Sequence, residues 1–475
     1  MNDTSNTTNA ASQSDIPQSV SDFMRHITDL CGGEHARWAE NFNAGFANTL
    51  TTTVRRHDDG TTFLLTGDIP AMWLRDSSAQ FRPYLAVAVD DPELTALITG
   101  LVRQQFRFIN IDPYANAFNE TPSGATWDPN DQTDSFGPWL WERKYEVDSL
   151  CYPIQLAWLL YRNTGTTSHF DDAFVSGIRR ILDVFETELD HSNSHYRFFR
   201  PNDDPRDSVP NHGTGGPFAV TGMTWSGFRP SDDACVYPYL VPSNMFASVV
   251  MGYVQRIFID VLDDREIAGR AAALQHSIDD GLAHHATIRN AAGNAIYAYE
   301  VDGLGNALLM DDSNVPNLMS APYLGFCEAD DPLYLETRNT LLSQENPYYF
   351  EGDYAHAIGS PHTPEGYVWP IAMAMQGLTS HDKAEKERIL DQLVAADAGT
   401  HLMHESFGFA HSARITVDDL HLLTFHDILK SPVLHRVLDN SRLGMIGFDG
   451  DLFVAGKRAE NVGSARGCPL QKNKC

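Results

Sequence analysis

The sequence predicts an all-α fold, a toroid of helix hairpins whose long loops gather a functional site at one end. Two patterns support this prediction. Apolar residues recur at the spacing of an α-helix in many segments, whereas strand-like alternation is limited to short pieces such as residues 294–302. The segments between the helices are long and rich in aromatic residues, glycine and proline, and long loops in compact domains tend to be functional.

The clearest predicted helix carries Phe246, Val250, Tyr253 and Ile257 on one face and follows Ser243, which we expect to be its N-cap. Further helices are predicted at roughly 77–89, 92–109, 147–163, 170–189, 264–288, 331–343, 366–378 and 382–396. The chain has 475 residues and is 42% hydrophobic, which is enough to bury one large core. We therefore expect one domain over residues 21–406, preceded by a disordered polar tail over residues 1–20.

Charge and cysteine content exclude several classes of partner. The net charge of −29 would repel phosphate backbones and anionic lipid, so we expect neither a nucleic acid nor a membrane as a partner. The chain has no apolar run long enough to span a membrane and no signal-like N-terminus. The six cysteines are scattered without CxxC spacing, which predicts reduced thiols, no metal site, no cofactor and a cytoplasmic location. The sequence does not define the oligomeric state.

The loops combine aromatic rings with many hydrogen-bonding side chains. A sugar presents hydroxyl groups in the plane of its ring and C–H groups on its faces, so this mixture is typical of a carbohydrate site. Taken singly, each tryptophan fits a hydrophobic core and each Arg-Asp pair fits a surface ion pair; the clustering favours a site. The residues are Trp73, Arg75, Asp76, Gln80, Trp127, Trp139, Trp141, Trp225, Arg229, Asp232, Asp233, His362, Tyr367, Trp369 and Glu405.

Glycoside hydrolysis without a cofactor needs one carboxyl group as acid and a second to activate water. The segment "TWSGFRPSDDAC" offers Asp232 and Asp233, and "HLMHESFG" offers Glu405 between a histidine and a serine. We expect burial near aromatic rings to raise the pKa of the acid, and a neighbouring histidine or arginine to keep the base ionised. Spacing alone does not separate Asp232 from Asp233.

Several long motifs carry a family resemblance. They are "GDIPAMWLRDSSAQFRPYL", "GMTWSGFRPSDDAC", "VPSNMFA", "SPHTPEGYVWPIAMAMQGLTS" and "MHESF". In this order they resemble the inverting exo-α-1,6-mannosidases of glycoside hydrolase family 125, over residues 23–406. The resemblance implies a six-hairpin α/α barrel with its site at one end. It also implies a mannose-containing oligosaccharide as substrate, an Asp general acid, a Glu general base and no metal.

By this resemblance Asp232 is the general acid and Glu405 the general base. Inversion then requires the two carboxyl groups to lie roughly 6.5–9.5 Å apart, with water between Glu405 and the anomeric carbon. Asp233 would hold a sugar hydroxyl or Arg229, and Trp225 and Arg229 would belong to the same substrate site. The remaining residues implied to surround the terminal mannose are Asp68, Trp73, Arg75, Asp76, Gln80, His362, Tyr367 and Trp369.

The chain departs from the family after "HESF". There the family has an aromatic run resembling Trp-Phe-Ser-Trp-Ala-Asn, whereas residues 407–475 contain no tryptophan or tyrosine. This segment has nine Lys/Arg and seven Asp/Glu, a charge of +2, against −31 for the preceding part. It is either a divergent C-terminal helix pair or an unrelated tail of the kind a reading-frame change produces. Two rival functions follow: a glucoamylase-like exo-glucosidase, and a non-catalytic mannoside-binding toroid.

Overall fold

The computed structural model describes residues 16–408, which form the predicted toroid of helices. Its longer helices pack as two concentric layers, and successive helices alternate between the outer and the inner layer. The helices are α1 Gln18–Cys31, α2 Ala36–Asn48, α3 Leu74–Phe81, α4 Leu85–Ala88, α5 Pro92–Ile111, α6 Val147–Thr164, α7 Asp172–Thr187, α8 Pro210–Gly213, α9 Val241–Asp260, α10 Arg265–His285, α11 Ala321–Leu324, α12 Pro332–Leu341, α13 Pro370–Leu378 and α14 Lys383–Ala395. Shorter helical turns are Thr49–Thr53, Arg82–Tyr84, Glu188–Asn193, Pro205–Asp207 and Leu318–Ser320.

The two layers differ in how much of each helix is buried. The inner layer consists of α3, α6, α9, the short α11 and α13, and the outer layer of α2, α5, α7, α10, α12 and α14. Inner helices such as α6 and α9 are buried on nearly all sides. Outer helices bury one face, as α7 does with Phe174, Ile178, Ile181 and Phe185. This difference is expected when one ring of helices is enclosed by another.

All strands of the described residues are short and antiparallel. They are β1 Val54–Arg56, β2 Thr62–Leu64, β3 Met72–Trp73, β4 Ala117–Phe118, β5 Gln132–Thr133, β6 Leu140–Glu142, β7 Phe198–Phe199, β8 Tyr239–Leu240, β9 Thr287–Arg289, β10 Ala295–Tyr297, β11 Glu300–Val301, β12 Ala307–Leu308, β13 Tyr349–Glu351, β14 His356–Ile358, β15 Tyr367–Val368 and β16 Phe407–Gly408. Two sheets have three strands, in the orders β3-β4-β6 and β12-β11-β8, and the others are pairs. These strands fix the loops that connect the two layers.

Most predicted helices are present, with bounds shifted by a few residues, and three details are corrected. Ser243 is not an N-cap: α9 begins at Val241, and the Ser243 hydroxyl donates to Asp148 at 3.4 Å. The helix predicted from residue 366 begins at Pro370, because Tyr367–Val368 forms β15. Helices α1 and α2 were not predicted.

The first and last outer helices of the described chain meet at a polar seam. Arg37 and Asn41 of α2 donate to Asp397 Oδ2 at 2.8 and 3.0 Å, just after α14 ends. The indole of Trp38 donates to Asp391 of α14 at 2.9 Å. These hydrogen bonds bring the two ends of the toroid together. The polar tail predicted at residues 1–20 overlaps α1, and its first 15 residues, like most of 407–475, lie outside the described residues.

Candidate active site

A cavity of about 400 Å³ opens at the end of the toroid where the inner helices α3, α6 and α13 begin. Trp73 and Trp369 immediately precede α3 and α13, and both contribute to its wall. Trp127, with 54% of its surface exposed, also lines it. The full lining is Thr66, Gly67, Ile69, Trp73, Arg75, Asp76, Ala79, Gln80, Trp127, Glu142, Lys144, Tyr152, Arg200, Asp207, Ser231, Asp232, Asn314, Val315, Tyr323, His362, Trp369, Ile371, Met375 and Glu405.

Helix α3 presents one polar face to this cavity. Arg75, Asp76, Ala79 and Gln80 all line it, since residues four apart on a helix share a face. Strand β3 holds the start of α3 by pairing Met72 and Trp73 with β4. The opposite face of the helix packs into the protein interior. The costly polar groups of "WLRDSSAQ" are therefore explained by a helix that lies between the core and a polar cavity.

The Arg75 guanidinium is surrounded by carboxyl groups. Nη1 contacts Glu146 Oε2 at 2.5 Å and Asp148 Oδ2 at 3.3 Å, while Nη2 lies 3.6 Å from Asp232 Oδ1. Nε lies 3.6 Å from Asp76 Oδ2. Burial alone would lower the pKa of Arg75, but these carboxyl groups raise it well above its usual value, so Arg75 remains a cation.

Asp232 sits on a tight loop that directs it into the cavity. Its φ of 68° lies in the left-handed region, which is unusual for a residue other than glycine. The Asp232 N–H donates to Arg229 O at 3.0 Å, and Lys144 Nζ donates to Asp232 O at 2.9 Å. The Arg229 side chain is held in turn by Glu300 at 2.5 Å. The loop is therefore fixed from behind by buried ion pairs, and 32% of the Asp232 side chain remains exposed.

The pKa directions in this cluster differ from the sequence-based expectation. Burial tends to raise the pKa of Asp232, but the Arg75 and Lys144 cations and a hydrogen bond with Glu146 outweigh it and lower that pKa. Burial raises the pKa of Glu146 well above its usual value, and it raises that of Asp148 to about 6 despite the opposing charge of Arg75. The expectation of a raised pKa is thus wrong for Asp232. The carboxyl groups of this cluster whose pKa is raised are Glu146 and Asp148.

His362 interacts with Asp233 and with the charges of Asp232 and Glu405. Its Nδ1 is 2.9 Å from Asp233 Oδ1. Burial of the ring would lower the pKa of His362, but the hydrogen bond to Asp233 and the charges of Asp233, Asp232 and Glu405 raise it to about 9. The imidazole is therefore a cation at neutral pH, and His362 lines the same cavity as Asp232 and Glu405.

Glu405 reaches the same cavity from the last described segment of the chain. It immediately precedes Ser406 and strand β16, which pairs with β15 through Val368–Phe407 and Tyr367–Gly408. Strand β15 leads directly into Trp369, another lining residue. One short antiparallel pair thus positions Glu405 beside the tryptophan wall. The cavity therefore holds Asp232 and Glu405 together with ring faces and hydrogen-bond donors, as a two-carboxyl hydrolysis of a sugar requires.

Nine of the residues singled out in the sequence line the cavity: Trp73, Arg75, Asp76, Gln80, Trp127, Asp232, His362, Trp369 and Glu405. Seven do not, namely Asp68, Trp139, Trp141, Trp225, Arg229, Asp233 and Tyr367, and sugar contact by any of them stays a prediction. Trp225 is 1% exposed and stacks on His191 at 3.7 Å, and Arg229 is buried against Glu300. Asp233 contacts His362 from behind, Tyr367 belongs to β15, and Asp68 is an exposed residue beside the lining residue Gly67.

Sequence reasoning missed the acids and cations of the segment "WERKYEVDS". Glu142 and Lys144 line the cavity, and Glu146 and Asp148 are buried behind Arg75. Their signal was available, because several charged residues directly precede and begin the apolar helix α6. Among residues 16–408 no cluster of His, Cys, Asp and Glu is arranged to hold a metal ion, and no helix in that range is long and apolar enough to cross a membrane.

Comparison with known proteins gives consistent matches. Residues 35–418 match the sequence profile described as metal-independent alpha-mannosidase (GH125). The chain is 36% identical over 412 residues to the meiotically up-regulated gene 157 protein of Schizosaccharomyces pombe, covering 82% of this chain and 80% of that protein. A solved structure from the family of metal-independent alpha mannosidases is also similar to this chain. It is a Streptococcus pneumoniae non-productive substrate complex with alpha-1,6-mannobiose. The two structures superpose with a TM-score of 0.85 at 48% sequence identity, and the match covers 91% of this chain and 100% of that one.

A more distant structure has the same fold. A bacterial glucoamylase complexed with acarbose superposes with a TM-score of 0.51 at 12% identity, over 88% of this chain and 60% of that one. This likeness concerns the α/α toroid alone.

Proposed function

The chain belongs to the metal-independent alpha-mannosidases of GH125, and from this premise we propose that it removes terminal α-1,6-linked mannose from the non-reducing end of an oligosaccharide, with inversion. The observation that carries the proposal is one cavity lined by both Asp232 and Glu405, in a chain 48% identical to a mannosidase solved with alpha-1,6-mannobiose. The likeness to glucoamylase concerns the fold only, so it gives no support to the exo-glucosidase alternative.

Asp232 and Glu405 carry the two proton transfers of the reaction. Asp232 donates a proton to the glycosidic oxygen as the bond to the anomeric carbon breaks. Glu405 accepts a proton from the water molecule that attacks the anomeric carbon from the opposite face. A single displacement of this kind inverts the configuration, so an α-linked substrate yields β-mannose.

The other lining residues bind the sugar. Arg75, Asp76 and Gln80 offer hydrogen-bonding groups on one face of α3, and these suit the hydroxyl groups of a pyranose. Trp73 and Trp369 supply apolar ring surface. The exposed Trp127 suits the leaving sugar or a longer chain. Binding the terminal sugar inside the toroid explains an exo mode of action, since an internal sugar would need an open cleft.

Hydrolysis of α-1,6-mannobiose followed by NMR tests the proposal. We expect β-mannose as the first product and unchanged activity after exhaustive treatment with a chelator. First release of α-mannose contradicts inversion. Binding of mannobiose without hydrolysis would favour the non-catalytic toroid, and release of glucose from a matched α-linked glucose disaccharide at a greater rate would favour the exo-glucosidase. We also propose a cytoplasmic location, which the buried, reduced thiols of Cys31, Cys151 and Cys235 support.

A further inference from the structure

We propose that Glu146 is a positioning residue for the general acid: its buried, protonated carboxyl group donates a hydrogen bond from Oε1 to Asp232 Oδ1 and stabilises the Asp232 carboxylate formed as the leaving oxygen gains its proton. This inference rests on the proposed function and deepens it. It concerns a residue that does not line the cavity and so cannot touch the substrate.

The first step is the contact between the two carboxyl groups. Glu146 Oε1 and Asp232 Oδ1 are both buried, and neither accepts a hydrogen bond from an N–H or O–H group of the described residues. Both side chains lie against the Arg75 guanidinium, Glu146 at 2.5 Å from Nη1 and Asp232 at 3.6 Å from Nη2, and an interaction between the two carboxyl groups raises the pKa of Glu146 and lowers that of Asp232. Two ionised carboxylates only accept hydrogen bonds, so this contact requires a proton on one of them.

The second step assigns that proton. The Glu146 side chain is fully buried, whereas 32% of the Asp232 side chain is exposed to the cavity. Burial penalises the charged form and raises the pKa of Glu146, so we assign the shared proton to Glu146. The other Glu146 oxygen, Oε2, accepts from Arg75 at 2.5 Å and from the Ser149 hydroxyl at 2.6 Å. The carboxyl group is therefore held in one orientation with Oε1 towards Asp232.

The charges around the pair are consistent with this assignment. Arg75 of α3 lies between Glu146 and Asp232, and Asp148 of α6 adds a negative charge that disfavours a second carboxylate at Glu146. Lys144, close to Asp232, favours its ionised form. His362 faces Asp232 from across the cavity and does the same. Arg75, Lys144 and His362 thus favour an ionised Asp232, and Asp148 favours a neutral Glu146. Arg75 also favours ionisation of Glu146, but burial outweighs it and the pKa of Glu146 stays raised.

The third step follows the protons through the reaction. Because its pKa is lowered, Asp232 first takes up a proton from solvent on its cavity-facing oxygen. This proton moves to the glycosidic oxygen, which also keeps the electron pair of the broken C–O bond, and Asp232 becomes a carboxylate. Glu146 retains its own proton throughout, and its hydrogen bond to Asp232 becomes charge-assisted and stronger in the transition state. Glu146 therefore contributes only where the leaving group needs a proton.

Two variants and two substrates test this role. Glu146→Gln keeps a neutral donor towards Asp232 and an acceptor towards Arg75, whereas Glu146→Ala removes both. On α-1,6-mannobiose we expect Glu146→Gln to keep kcat within a few-fold, and Glu146→Ala to lower kcat about 10- to 100-fold with little change in KM, the effect of losing one hydrogen bond to a charged group. On α-mannosyl fluoride, whose leaving group departs with little help from an acid, Glu146→Ala should be nearly as active as the unsubstituted chain.

Asp148→Asn is the matched control, because Asp148 is the second buried acid in contact with Arg75. It should not reproduce the dependence on leaving group. Equal slowing of both substrates by Glu146→Ala would overturn the inference, since a purely structural role affects both. Loss of mannobiose activity in a folded Glu146→Gln variant would also overturn it, and this comparison stands even if Glu146→Ala does not fold. An unsubstituted chain that releases no mannose from mannobiose refutes the proposed function itself, and with it the inference.

Discussion

Asp232 and Asp233 are neighbours in sequence and have different surroundings in the structure. The positive φ of Asp232 turns the backbone between them, so that Asp232 lines the cavity beside Arg75. Asp233 is buried and paired with His362 at 2.9 Å. This separation supports Asp232 as the acid, since Asp232 lines the cavity and Asp233 does not.

Alanine substitutions compare these acids directly. Asp232→Ala and Glu405→Ala should each lower kcat on α-1,6-mannobiose by about 10²–10⁴-fold, the usual loss for a positioned acid or base. Asp233→Ala should have a smaller effect, through the orientation and charge of His362. Steady-state kinetics on the three variants provide the measurement. A severe defect in Asp233→Ala with a mild one in Asp232→Ala would move the acid by one residue.

The same motif shows where residue-level prediction stops. In "GMTWSGFRPSDDAC" the sequence identifies polar and aromatic residues suited to a sugar site, but it does not reveal which of them face inward. Trp225 stacks on His191, and Arg229 pairs with Glu300, which is 71 residues away in sequence. The charges of the segment that carries Glu146 were visible in the sequence, but its position behind Arg75 was not. These placements depend on tertiary contacts.

At the scale of elements, the position of Glu405 depends on two strands of two residues each. The β15–β16 pair holds the chain just after Glu405, and Gly359 bridges to Val368 on the other side of β15. A Cβ atom at Gly359 would lie 2.2 Å from the Tyr367 carbonyl oxygen and 2.8 Å from a ring carbon of Phe350. Only glycine leaves room for β15 at this point.

Gly359→Ala should therefore shift β15 and, through β16, the Glu405 carboxyl group. We expect a loss of about 1–3 kcal/mol in the free energy of unfolding from overpacking, together with a lower kcat, because a displacement of about 1 Å at a catalytic group can cost about 10²-fold. Gly269→Ala is the matched control, since its added methyl group meets open space within α10. It should be neutral or stabilising by about 0.5–1 kcal/mol. Equal activity in the two variants would refute the coupling of β15 to Glu405.

Helices were predictable where a long apolar face repeats, and short strands were not. A strand of two residues has no alternation to detect, so β15 and β16 left no signal in the sequence. The start of α13 was placed too early for the same reason, although Pro370 favours an extended Trp369 before it. In α2 the buried Asn41 and Gly45 interrupt the apolar pattern of Trp38, Phe42 and Phe46. The all-α fold class is confirmed, while the elements that position the base came only from the structure.

On the scale of the whole molecule, residues 407–475 carry the main open prediction. The sequence predicts either a divergent helix pair or an unrelated tail for this segment. Both alternatives stay predictions, because nearly all of these residues lie outside the described residues. The match to the GH125 profile extends to residue 418. Within the described part, the toroid is joined at the seam between α2 and α14, and this seam lies next to Glu405 in sequence.

Asp397 is the central acceptor of that seam. Its side chain is 2% exposed and accepts hydrogen bonds from Arg37, Asn41 and the Gly399 N–H. Its carbonyl oxygen lies 3.4 Å from His404 Nε2, one residue before Glu405. Burial opposes ionisation of Asp397, but the hydrogen bonds from Gly399, Asn41 and Arg37 outweigh it and lower its pKa. The same carboxylate thus joins the two ends of the toroid and, through the Gly399 N–H, holds the start of the segment that leads to Glu405.

Asp397→Ala should lower the free energy of unfolding at pH 7 by about 1.5–3 kcal/mol, the range for hydrogen bonds to a charged group, since Arg37 is half exposed and adds little more. Because the folded-state pKa of Asp397 is lowered, its charge stabilises the fold above the unfolded pKa of about 3.9, and this contribution disappears as the pH falls through the folded value. The difference in the free energy of unfolding between the variant and the unsubstituted chain should therefore become smaller below about pH 4, as measured by urea titration.

Asp391→Ala is the control, because it removes the exposed partner of Trp38 at the same seam. It should lower the free energy of unfolding by about 1 kcal/mol or less and leave kcat unchanged. Asp397→Ala should also lower kcat on mannobiose, because the segment from Gly399 to Glu405 loses the side-chain hydrogen bond that holds its start. A variant with unchanged stability and unchanged kcat would show that closure of the toroid and placement of Glu405 do not depend on this carboxylate.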